Sequence, residues 1–161
     1  MRKSRRSVRR AGLPMTWVMK TTVSFSAGSI QNAVEAAPPG SIERLILLAP
    51  AVSSEYDLRP ALGNVRQGID VFRSYRDQFY LGFGAYVVGT TDRRWEAPAG
   101  RVGFEPNLGG PGDSALYEKL HDHPWDASFA WTGNDGGHGG SYSPGFLRAY
   151  VLPLLGEGAC K

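Results

Sequence analysis

Residues 22–29 run Thr22-Val23-Ser24-Phe25-Ser26-Ala27-Gly28-Ser29, with an apolar, β-branched approach before them and a helical pattern after them. Ser26 thus stands where a strand gives way to a helix. Such a turn is strained, and small neighbours let the helix pass close to the strand; Ser24, Ala27 and Gly28 meet that need. Upstream, Trp17 to Ser24 reads as a strand, favoured by Thr21, Thr22 and Val23 and weakened by Lys20. Downstream, Ala27 to Ala37 reads as a helix. Ile30, Ala33, Val34 and Ala37 fall at i, i+3, i+4 and i+7 on one face, and Pro38-Pro39-Gly40 ends it.

The rhythm continues along the chain. Arg44-Leu45-Ile46-Leu47-Leu48-Ala49-Pro50 is a continuous apolar run of strand length, the pattern of a parallel strand covered on both faces. Pro60 to Gln67 reads as a short helix, with Pro60 at its start and Gly68 at its stop. Ile69-Asp70-Val71-Phe72-Arg73-Ser74-Tyr75 is a buried-strand pattern, and Arg76-Asp77 follow at its end. Strand, helix, strand, helix, strand implies right-handed βαβ units and a mostly parallel sheet flanked by helices: the fold class is α/β. Residues 82–112 hold eight glycines, Arg93-Arg94-Trp95 and Pro98 without a clear period, and are expected to form a long ordered loop. Ser114 to His121 is expected to be helical with Asp113 as N-cap, and Asp126 to Trp131 to be the last strand. Then Gly133-Asn134-Asp135-Gly136-Gly137-His138-Gly139-Gly140 puts one histidine in a glycine-rich loop, and Ser143-Pro144 opens an apolar helix as N-cap and first helical residue.

A serine on a strand-to-helix turn, an acid after a strand and a histidine before a last helix, in that chain order, resembles the C-terminal half of the α/β-hydrolase family. The elbow of that family is Gly-x-Ser-x-Gly; here Ser24 stands at the first glycine, and Ser26-Ala27-Gly28 keeps the rest. The resemblance covers roughly residues 16 to 155. It implies a partial α/β-hydrolase fold whose early strands, those before the elbow, are missing. It also implies a triad of Ser26 as nucleophile, His138 as base and Asp77 as the acid that orients it, with the Ala27 N–H as one oxyanion donor. Loops at the carboxyl ends of parallel strands gather at one edge, so three residues far apart in sequence can meet there. A serine hydroxyl is a poor nucleophile until a base takes its proton, and an imidazole near neutral pKa suits that task. The implied reaction is hydrolysis of a small-molecule ester, thioester or amide through an acyl-enzyme, of carboxylesterase or lipase type, with no cofactor and no metal. The family's second oxyanion donor precedes the elbow, and no residue here matches it. The rival expectation is a non-catalytic, hydrolase-like remnant that self-associates or binds a complementing chain through an exposed sheet edge at Thr21 to Ser24.

Composition bounds these readings. The chain has 161 residues, enough for one domain, and its formal net charge of +3 hides an asymmetry. Residues 1–34 carry seven Lys/Arg and no acid; the rest carry eleven basic and fifteen acidic residues. A basic, disordered arm over residues 1–15, a globular part over 16–155 and a tail over 156–161 are expected. Arg2-Lys3-Ser4-Arg5-Arg6-Ser7-Val8-Arg9-Arg10 is like the front of a twin-arginine export signal, but Ala11 to Met15 is short and Pro-broken, so a cytoplasmic protein is expected. No aromatic is interleaved with those arginines, which argues against a specific nucleic-acid partner. No apolar run reaches the length of a membrane span. The one cysteine, Cys160, excludes a disulfide framework.

Each chosen residue has a plainer alternative. Ser26 could be an ordinary helix N-cap, and Asp77 a surface carboxylate paired with Arg76 or Arg73. Asp135 and Asp92 are rival acids, both in loops rather than directly after a strong strand. His121-Asp122-His123 with Asp126 has metal-ligand types at usable spacing, yet no second cluster joins them, and a surface turn after a helix is the expected state. Trp95, Trp125, Trp131 and Tyr142 are expected in the core or in a wall, with Trp125 and Tyr142 as candidates for an acyl pocket.

Overall fold

The computed structural model describes residues 19–24, 34–77 and 97–156. Four strands, β1 (Met19–Ser24), β2 (Ile42–Leu48), β3 (Val65–Arg73) and β4 (Leu120–Pro124), form one sheet in sequential order. All three pairings are parallel. Ser24, Leu48, Phe72 and His123 lie in one row across the sheet, so the carboxyl ends of the four strands are level.

β2 shows why its sequence is apolar without alternation. Leu45 and Leu47 pack on one face with Ile69, Val71, Leu58, Leu62 and Tyr117; Ile46 and Leu48 pack on the other with Phe72, Phe146 and Val151. A strand wetted on neither face needs no polar positions. Each such buried Leu or Ile contributes about 1.5–3 kcal/mol relative to an exposed one.

Helix α1 (Arg59–Asn64) begins with Pro60 in its first turn, as expected, but stops before Val65 rather than at Gly68. Val65 already has extended backbone (φ −94°, ψ 144°) and is buried, so strand pairing with Ile42 takes over from helix propensity. Gly68 is therefore a strand residue. Its φ of 118° and the close approach of the Lys119 carbonyl explain the glycine: a Cβ would collide with that backbone.

Four further expectations are corrected. Helix α3 (Asp113–Tyr117) follows the short turn α2 (Ala99–Val102); its N-cap is Gly112, and Asp113 lies inside it, accepting from the Gly110 N–H and from Arg59. The last strand is β4, not residues 126–131. His121-Asp122-His123 is thus a strand rather than a turn, at the sheet edge among the described residues, and both histidines find a partner in Asp70 on β3. Asp126 instead caps a 3₁₀ helix over Ala127–Thr132 by accepting from the Ser128 N–H. Trp131, on that 3₁₀ helix, is 75% exposed and belongs to neither core nor wall.

The last described element is α4, a continuous helix of three segments: Pro144–Phe146, a π-type turn Leu147–Val151, and Leu152–Gly156. Ser143 caps it through the Phe146 N–H, as its sequence foretold. Pro153 has no N–H for the Ala149 carbonyl, and the wider turn lies over that same stretch. Among the described residues no helix is long and apolar enough to cross a membrane.

Candidate active site

The level ends of β2 and β3 put their outgoing loops at one edge of the sheet. β3 runs out at Arg73, and a turn closed by Asp77 N–H to the Ser74 carbonyl (3.2 Å) carries Asp77 back under the edge, where it is 2% exposed. The expected alternative, a surface carboxylate paired with Arg73 or Arg76, is not adopted: Arg73 pairs with Asp122 at 2.7 Å, and Arg76 lies 4.7 Å over the Trp125 ring.

The glycine-rich loop is pinned at several points. The Trp125 indole N–H donates to the Asn134 carbonyl at 3.0 Å, and Asn134 Oδ1 accepts from the Gly136 N–H at 3.0 Å. Ser74 Oγ donates to the Gly136 carbonyl at 2.6 Å, tying the loop to the end of β3. Gly136 has φ 84°, and a Cβ there would press on Arg76 and Trp125, so the loop can pass only as glycine. Held this way, His138 places Nδ1 2.6 Å from Asp77 Oδ2. A carboxylate only accepts, so Nδ1 carries the proton of that bond. The rival acid Asp135 spends its side chain on the Gly137 N–H at 2.9 Å; Asp92 lies outside the described residues.

The two residues expected to complete the triad, Ser26 and Ala27, also lie outside the described residues. β1 ends at Ser24, two positions before Ser26, in the row shared by Leu48 and Phe72. Of the four residues, the structure brings Asp77 and His138 together.

Tyr142 sits beside the pair, its ring 6.4 Å from the His138 ring and its hydroxyl donating to the Leu48 carbonyl at 2.8 Å. Trp125 is a wall, but of a small pocket of about 20 Å³ that Asp77, Ser74, His123, Asn134, Ser141 and Phe146 also line. Ala49, at the exit of β2, borders the same pocket with φ 47°, an uncommon value for a residue with a side chain. The larger depression near Val102, Tyr117 and Leu120, about 250 Å³, includes neither member of the pair.

A second histidine–aspartate cluster lies on the sheet itself. Asp70, 1% exposed, holds Arg44 at 2.6 Å through Oδ2, and His123 at 2.8 Å and His121 at 3.4 Å through Oδ1. Burial works to raise its pKa, but the hydrogen bonds from His123 and Arg44 and the charge of Arg44 outweigh it, and the carboxyl is held below its ordinary value. His123 also stacks on Phe72 with ring centres 4.6 Å apart. Both histidines thus turn to Asp70; among the described residues, no group of three or more His, Cys, Asp or Glu is placed to hold a metal ion.

Sequence reasoning missed Ser74, Asn134 and Asp70. Only Asp70 left a signal, a lone acid inside an apolar strand pattern. Comparison with protein-family models, with curated proteins and with solved structures found no match.

Proposed function

We propose that this chain is a serine hydrolase of the α/β-hydrolase kind, acting on an ester, thioester or amide. The observation that carries the reading is the buried Asp77 bound at 2.6 Å to His138 at the carboxyl edge of a parallel sheet. In this reading Ser26 Oγ attacks the substrate carbonyl and its proton passes to His138 Nε2, the nitrogen opposite the one bound to Asp77. Asp77 fixes the ring and stabilises the imidazolium. The Ala27 N–H steadies the oxyanion, and the imidazolium then protonates the leaving alcohol, thiol or amine. Water attacks the acyl-enzyme by the same route in reverse, freeing the acid and restoring Ser26.

A fluorophosphonate probe tests this directly, since it phosphonylates only an activated serine. Labelling of the folded chain that disappears in Ser26→Ala supports the reading. A folded chain that takes no label under any condition sinks it. The non-catalytic reading, a hydrolase-like remnant that pairs through its sheet edge, is favoured by one observation: among the described residues β1 pairs only with β2. That reading requires concentration-dependent assembly in sedimentation together with absent labelling.

A further inference from the structure

Asp77 uses one carboxylate oxygen on His138; the other, Oδ1, is buried and has no hydrogen-bond partner among the described residues. Ser141 Oγ is in the same condition, and the whole residue is 9% exposed. Both residues line the pocket of about 20 Å³ beside Asp77. Several other polar atoms around it are engaged. Ser74 Oγ is bound to Gly136 and Arg76, Asn134 Oδ1 to Gly136, and His123 Nε2 to Asp70.

A buried carboxylate oxygen left dry is costly, and so is a buried hydroxyl. A cavity needs about 10–15 Å³ of the same measure to hold a water, which in turn needs two to four polar partners. The space is enough for one water, and the two residues that carry unsatisfied groups of complementary type both line it. We infer that Ser141 is a positioning residue for Asp77, acting through a single buried water. The Ser141 hydroxyl donates to the water, and the water donates to Asp77 Oδ1. With Oδ2 accepting from His138 Nδ1, both oxygens are then fixed, and with them the plane of the carboxylate and the direction of the imidazole. The inference deepens the hydrolase reading and rests on it for its catalytic meaning, though the water site itself does not.

The test joins a high-resolution crystal structure of the whole chain to two variants, Ser141→Ala and Ser141→Thr. The crystal structure is expected to show one ordered water within hydrogen-bond distance of both Asp77 Oδ1 and Ser141 Oγ. A dry pocket, a direct protein donor on Oδ1, or a bound cation there overturns the inference. Ser141→Ala is expected to move the downfield proton resonance of His138 Nδ1–H and to slow fluorophosphonate labelling by about fivefold to tenfold, and Ser141→Thr, which keeps the hydroxyl, to restore both. An unmoved resonance in folded Ser141→Ala overturns it. The resonance needs no activity, so the two readings fail separately. If the wild type takes no label but the resonance shifts and is rescued, the water site stands and the hydrolase falls. Should Ser141→Ala not fold, the wild-type crystal structure decides.

Discussion

Two buried aspartates, seven residues apart on and after the same strand, meet histidines in opposite ways. Asp70 is saturated: Arg44 on one oxygen, His121 and His123 on the other. Asp77 is bound to one imidazole, and its second oxygen has no partner among the described residues. A carboxylate whose charge is answered by a guanidinium on the neighbouring strand has little left to give to chemistry; its work is to hold β2, β3 and β4 together. A carboxylate facing one imidazole at 2.6 Å is free to orient that ring, as the proposed base requires. The difference lies in the number of partners, since burial is nearly equal at 1% and 2%.

The largest expected effect separates the two by activity. His138→Ala should slow fluorophosphonate labelling by about 10³–10⁴-fold, the range typical of a lost triad member. His121→Ala, which touches only the saturated cluster, should stay within about threefold of wild type because it removes no group from the reaction. Equal loss in both variants would mean that the label reports folding rather than catalysis.

Next comes stability, where the ranking reverses. Asp70→Ala leaves Arg44, whose side chain is 12% exposed, without its counter-charge, and breaking a buried pair from one side costs about 3–5 kcal/mol. Urea denaturation should show that loss. Asp77→Asn keeps shape and an acceptor, so its midpoint should move by much less while labelling falls steeply.

How much of this was legible in the sequence follows from what each residue answers to. β2 was legible because burial on both faces writes itself as an unbroken apolar run. Asp77 and His138 were legible because each follows or lies within a punctuated segment, a strand end and a glycine-rich loop, in a meaningful order. β4 was not. Its alternation is of His and Asp rather than of apolar and polar residues, and its histidines are explained only by Asp70, some fifty residues away in sequence. Residues 126–131 misled for a related reason: Phe129 and Trp131 alternate as in a strand, yet the Asp126 cap decides the backbone. Ser74 and Asn134 gave no signal, since their roles exist only where two loops meet.

Acid should sharpen the comparison again. The pKa of Asp70 is lowered in the folded state, so its contribution is fully present above the ordinary aspartate value, near 3.9, and is lost as pH falls through the lower folded value. Thermal midpoints of wild type should therefore drop below about pH 4. Part of that slope should be absent in Asp70→Asn, which has no carboxyl to titrate. A variant with the same acid slope as wild type would assign the loss to other carboxylates, such as Asp57, whose pKa is also held down, by Arg59.

The smallest effect concerns a bond that ties the turn between β3 and Asp77 to the histidine loop. Ser74 Oγ donates to the Gly136 carbonyl at 2.6 Å and also accepts from the Arg76 N–H at 3.2 Å. Ser74→Ala removes both, a cost of about 1 kcal/mol for a neutral bond at a part-buried site. If that bond serves only stability, the midpoint falls slightly and labelling is unchanged once the protein is folded. If it places His138, labelling should fall several-fold more than the midpoint accounts for, because a base displaced by a fraction of an ångström loses alignment before the fold loses contacts. The second outcome is expected. Gly136 has no side chain with which to anchor itself, and only Gly137 separates it from the imidazole that must reach Asp77.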